Sequence, residues 1–165
     1  MKLNILISII ILLIFLVFIQ DDKKFKFDTQ ILQVTAESFS PTVLLEKYPV
    51  IFSEVSDIDE LLSKFRFFYL FKKQTFLCDP IMSVNNKKYL LIFNNSNQDV
   101  NLFIANPKYS SQLTTENCKL EDCNFPITNV VLPIRYAVLL PKHWLFVLQQ
   151  PLPQYTLSSL CDLIL

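Results

Sequence analysis

The chain has 165 residues, 52% of them hydrophobic, and its 15 Lys and Arg balance its 15 Asp and Glu. A net charge of zero, with lysines scattered among acids, excludes the basic stripe by which a protein tracks a phosphate backbone, so nucleic acid is not an expected partner. Glycine is absent, which excludes the P-loop, the GxGxxG dinucleotide turn and the GxSxG nucleophile elbow, because each needs backbone positions that only glycine adopts without a steric penalty.

Met1 and Lys2 precede an apolar run, Leu3 to Ile19, broken only by Asn4 and Ser8. As a helix it spans roughly 25 Å, near the roughly 30 Å of a hydrocarbon core. No small-x-small cleavage site follows in "QDDKKFKFD". The expectation is a signal-anchor transmembrane helix in residues 1–22, membrane contact through residues 3–19, a single-pass membrane localisation, and one domain over residues 23–165. A cleaved secretory signal is the alternative. Lys2 on one flank against Lys23, Lys24 and Lys26 on the other gives a slight bias toward a cytoplasmic domain.

Turns in the remainder must be built by Asn, Asp, Ser and the 9 prolines. A short helix is expected near Pro41 to Lys47 and a strand at Val50 to Phe52. "SDIDELLSKF" predicts a helix with Ser56 as N-cap, Asp59 three residues on, and Ile58, Leu61, Leu62 and Phe65 along one face. Strand-like runs follow: "FRFFYLF", "KKYLLIF", "VNLFIA", "TNVVLPI", "YAVLL" and "WLFVLQ". Several short strands separated by turn signals imply a β-barrel or sandwich with one or two helices. "NNSNQD" between two of them reads as a hairpin loop, and the tail "YTLSSLCDLIL" as a final amphipathic helix or an interfacial segment.

Chemistry-bearing residues are few. Cys78, Cys118, Cys123 and Cys161 are even in number, but "CKLEDC" fits neither a redox nor a zinc CxxC, leaving thiols or one local disulfide. Asn94-Asn95-Ser96 is a glycosylation sequon, relevant only if the domain faces a lumen. Asp57, Asp59 and Glu60 are explained by the first turn of the expected helix. His143 is the one histidine, so any triad or metal site would have to use it.

"EKYPVIFSEVSDIDELLSKF", "NNKKYLLIFNNSNQDVNLFIANPKY" and "VVLPIRYAVLLPKHWLFVL" resemble segments of the JmjC-like branch of the cupin superfamily, over most of residues 30–150. The resemblance implies a small cupin-like β-barrel and, in catalytic members, Fe(II) held by an early His-x-acid pair and a late His, with 2-oxoglutarate as co-substrate. Aligning Pro141 and Trp144 with that family's late Leu-Pro-x-x-Trp-x-His motif puts Phe146 where the late His belongs, and a phenyl ring has no lone pair for a metal. The early pair is missing as well. The chain also looks like membrane-anchored proteins of large DNA viruses. The expectation is a non-catalytic module without metal or cofactor, in which Pro141, Trp144 and Phe146 are structural and the partner is another protein, in a viral membrane or virion component. The alternative is a divergent oxygenase-like enzyme with a metal at His143, joined by acids such as Asp79 or Glu121.

Overall fold

The computed structural model describes residues 7–9, 11–12, 30–65, 71–113 and 119–158. Their strands are β1 (Leu32–Thr35), β2 (Val50–Ser53), β3 (Phe71–Val84), β4 (Tyr89–Phe93), β5 (Val100–Ala105), β6 (Thr128–Leu132), β7 (Ala137–Pro141) and β8 (Leu145–Ser158). Among the described residues from 30 onward there are also an α-helix, α1 (Ile58–Ser63), and 3-10 helices at Pro41–Glu46, Pro107–Gln112 and Leu120–Asp122.

All eight strands belong to one curled sheet, a half-barrel with the order β1-β2-β7-β4-β8-β5-β6 and β3 added against β8. The two 14-residue strands make the curl. The first part of β8 pairs with β5 over Leu145–Leu148, and its last part pairs with β4 over Gln154–Leu157. Pro151 and Pro153 fall where β8 has left β5 and reached or nearly reached β4, a stretch with no ladder partner on that side. A missing N–H is tolerated there. On its other side β8 pairs with β3, whose register slips between Leu77 and Ser83, around Pro80.

Side-chain alternation distributes this sheet over three apolar clusters. In β4, Tyr89 and Leu91 face a cluster covered by α1 and the first 3-10 helix, while Leu90 and Ile92 face the inside of the curl. β7 divides in the same way, Ala137 and Leu139 against Val138 and Leu140. Both strands read as unbroken apolar runs because both faces are covered. The outer face of β5 and β8 carries Ala105, Leu145 and Val147 under Tyr109, Leu113, Leu120, Phe125 and Ile127. Phe39, Phe52 and Phe65 pack edge-on or tilted at 5.0 to 6.4 Å, locking α1 onto β2.

Several expectations are corrected. Among the described residues no helix is long and apolar enough to cross a membrane. Of the stretch expected to be an anchor, residues 7–9 and 11–12 are described; they are helical, with Ile7, Ile9, Ile11 and Leu12 exposed. The rest of that stretch lies outside the described residues. The transmembrane helix, and the single-pass localisation drawn from it, are therefore withdrawn. The sheet is an open half-barrel rather than a closed barrel or a pair of separate sheets. The N-cap of α1 is Asp57, whose carboxylate accepts from Asp59 N at 2.8 Å, one residue later than Ser56. β4 and β5 are not a hairpin, since β4 pairs with β7 and β8 and β5 with β6 and β8. Tyr155–Ser158 extends β8 instead of opening a helix; residues 159–165 lie outside the described residues, as does most of "FRFFYLF".

Candidate functional site

Connections that cross between the two halves of the curl need tight turns, and without glycine a side-chain-bearing residue must take the left-handed backbone. Arg135 (φ 63°) and His143 (φ 69°) do so, each third in a four-residue turn closed by Tyr136 N donating to Pro133 O and by Trp144 N donating to Pro141 O. The turns are two copies of one pattern, Leu132-Pro-Ile-Arg-Tyr136 and Leu140-Pro-Lys-His-Trp144.

Each copy grips a buried asparagine. Asn94 donates its backbone N–H to Tyr136 O (2.8 Å) and its amide to Leu132 O (2.8 Å), while its carbonyl accepts from Arg135 N (2.9 Å). Asn85 repeats the set, with its N–H to Trp144 O (2.9 Å), its amide to Leu140 O (2.8 Å) and its carbonyl accepting from His143 N (2.7 Å). In both, Oδ1 accepts from the backbone N–H two residues on, Ser96 or Lys87, at 3.0 Å. The two clasps tie adjacent crossing turns together at the two ends of β4.

The late-strand residues singled out from sequence now have places. Pro141 is buried at the end of β7, Trp144 is 1% exposed in the inner core, and half-buried Phe146 packs against the same cluster from β8. His143 is half-buried, its backbone N–H committed to the clasp. Asn94 is 0% exposed, and its second amide proton goes to Gln98 O at 2.9 Å. The sequon nitrogen is thus spent inside the protein.

Among the described residues no three or more His, Cys, Asp or Glu side chains converge as a metal site. Glu121 is exposed on the 3-10 helix Leu120–Asp122. The Cys123 thiol donates to Lys119 O at 3.3 Å. Cys118 and Cys161 lie outside the described residues, and the side chains of Cys78 and Asp79 are likewise not described.

Two surface features remain. Glu37, Glu54, Asp57 and Glu60 rim a hollow of about 30 Å³, with Ala36, Ser56, Leu61 and Lys64 completing its lining; that is room for about one water. Lys64 Nζ donates across it to Ala36 O (2.6 Å) and Glu37 O (3.3 Å). The second feature is the strand edge at β6. Within the described residues β6 pairs on one side only, with β5. Val131 is 54% and Ile134 45% exposed, and they are the large hydrophobic side chains the β domain leaves exposed among the described residues. Sequence reading placed the strand but overlooked this edge, although the uncharged run from Cys123 to Ile134 was a visible signal.

No family model matches the chain, and no curated protein is similar enough to it to serve as a relative. The cupin resemblance therefore rests on the quoted segments alone.

Proposed function

We propose that the chain is a non-catalytic structural module that binds another protein chain through the β6 edge. One observation carries this reading: β6, paired on one side only among the described residues, is uncharged and exposes Val131, with Ile134 exposed in the turn that follows it. Proteins usually blunt such an edge with lysine, proline or a bulge, because its unpaired N–H and C=O groups template another strand. The edge is also held still. Leu132, its last residue, accepts from the buried Asn94 amide, so the strand is presented on a fixed frame. The placement of Trp144 and Phe146 against the inner core fits the same role, since the late-strand motif then serves packing.

The test is a photo-crosslinking residue at Val131, compared with one at Lys87, an exposed position in the opposite clasp. A saturable adduct of discrete mass from position 131, with none from 87, is the expected result. No adduct from 131, or equal adducts from both, overturns the proposal.

A further inference from the structure

We infer that the two ends of the sheet are complementary docking surfaces for copies of this protein, the acidic end of one receiving the basic end of the next in a head-to-tail column. This does not depend on the β6 edge, which runs along the side of the sheet.

Along the sequence lysines and acids are mixed, but the fold sorts them. Thr35 pairs with Ser53, Phe52 with Ala137 and Val100 with Leu132, which brings the chain on either side of those pairs to the Asn94 end of the sheet. Glu37 lies just past β1, Glu54 directly after β2, Asp57 and Glu60 at the start of α1, and Asp99 directly before β5, all of them exposed. The cations there, Lys64 and Arg135, donate to the backbone carbonyls of Ala36, Glu37 and Ser56. Five acids against two cations leave a surplus of three negative charges. The Asn85 end is the reverse. Lys87 and Lys88 precede β4, Lys142 follows β7 with its N–H on Lys88 O at 3.0 Å, and Lys47 precedes β2. Four lysines against Glu46 leave three positive charges, and contacts made within an end do not change its surplus. The other described charged side chains from residue 30 on belong to neither end: Asp59 lies by Tyr155 over the outer face, and Lys108, Lys119, Glu121 and Asp122 lie on or beside 3-10 helices.

The two surpluses are equal, opposite in sign and set at opposite ends of the strands, so the surface on the page that matches either end is the other end of the same protein. A foreign polyanion would use the basic end alone. The chain's zero net charge gives such a partner no long-range attraction, and the acidic end opposes it. Stacking uses both ends at once. The contact is heterologous, so each added copy leaves the same pair of ends open and the column reaches no set number. Exposed ion pairs are weak singly, and the screening length falls from about 30 Å at about 0.01 M salt to about 8 Å at about 0.15 M. The association is therefore reversible and belongs to low salt.

Sedimentation velocity of the full chain, over a concentration series at about 0.01 M and about 0.15 M salt, tests this. The samples are wild type, a variant carrying Lys87→Glu and Lys142→Glu, a variant carrying Glu37→Lys and Glu54→Lys, and an equal mixture of the two variants, with Trp144 emission as the check on folding. The expected result is a sedimentation coefficient that rises reversibly with wild-type concentration at the lower salt, in an association weakened at least about tenfold at the higher. It is lost in each variant alone and restored in the mixture, where one partner has two acidic ends and the other two basic ones. The wild-type series decides without any variant: a monomer throughout at the lower salt, or association that salt leaves unchanged, overturns the inference. Association that persists in either variant alone, or that the mixture fails to restore, overturns it too. A wild type that stays monomeric but binds polyglutamate also overturns it, and gives the basic end to a foreign acidic chain.

Discussion

Asn85 and Asn94 stand at opposite ends of β4 and make the same four backbone and amide bonds, three to a Leu-Pro-x-His/Arg-aromatic turn and one from the N–H two residues on. The two turns are eight positions apart in sequence. Through them the curl is pinned at both ends, and neither site leaves room for a residue that only accepts or only fills space.

Replacing either asparagine tests this. Asn94→Ala strands the buried carbonyl of Leu132, where an unsatisfied group costs about 1–3 kcal/mol, and removes the bonds to the half-buried Ser96 N–H and to Gln98 O, which still accepts from Ser96 Oγ. Urea unfolding should show a loss of about 2–4 kcal/mol for Asn94→Ala and a similar loss for Asn85→Ala. Ser96→Ala, which removes one half-buried hydroxyl bonded to Asn94 Oδ1 at 2.6 Å, should lose less than about 1.5 kcal/mol. Equal losses for Ser96 and Asn94 would show that the amide is not what holds the turns.

Glu54 is exposed and left-handed at φ 55°, a conformation that costs an ordinary residue about 1–2 kcal/mol. Glu54→Gly should gain roughly 0.5–1 kcal/mol once glycine's greater freedom in the unfolded chain is subtracted. Glu54→Ala should show no such gain. Thermal melts of the two variants side by side decide it.

Tyr155 titrates above the ordinary tyrosine range, first because burial disfavours the phenolate and second because Asp59 repels it. A folded pKa above the unfolded one means that the stability linked to this group is fully present below the unfolded value of about 10, and is lost as pH rises through the folded value. Stability should therefore fall in strongly alkaline solution, and Tyr155→Phe should flatten that fall. The difference in phenolate absorbance between wild type and Tyr155→Phe reports the titration, and Asp59→Asn should move it downward.

Trp144, the one tryptophan, is 1% exposed inside the curl. Its emission should be blue-shifted and resistant to iodide quenching in the folded protein, shifting red on unfolding. Trp144→Ala should cost about 3–5 kcal/mol, by lost burial and the cavity left behind. A red-shifted, quenchable native spectrum would contradict the packing.

Strands β2, β4, β5, β6 and β7 were legible because their apolar runs are bounded by polar or proline turns, a local signal. Their partners were not. "LLIF-NNSNQD-VNLFI" has the look of a hairpin, yet Phe93 pairs with Ala137 and Val100 with Leu132. A crossing turn and a hairpin turn draw on the same residues, and only the pull of the two core faces decides between them. Asn85 and Asn94 were hidden for a related reason. In a turn-rich segment an asparagine is expected at the surface, and nothing local marks one as buried. The repeat of Leu-Pro-x-Arg/His-aromatic could have been found by comparing 132–136 with 140–144, since both must solve the same backbone problem without glycine.

β8 contributes to all three apolar clusters, with Leu145 and Val147 in one, Leu148 and Leu152 in the next and Leu157 in the third. Order of synthesis acquires a meaning from this. As the polypeptide is made, the seven earlier strands can collapse but cannot finish any core, because each lacks the same late strand. A chain stopped before Leu145 would carry three unfinished apolar faces at once, with its contacts still to be made over long sequence separations. The three apolar clusters thus become complete together, once β8 has been made.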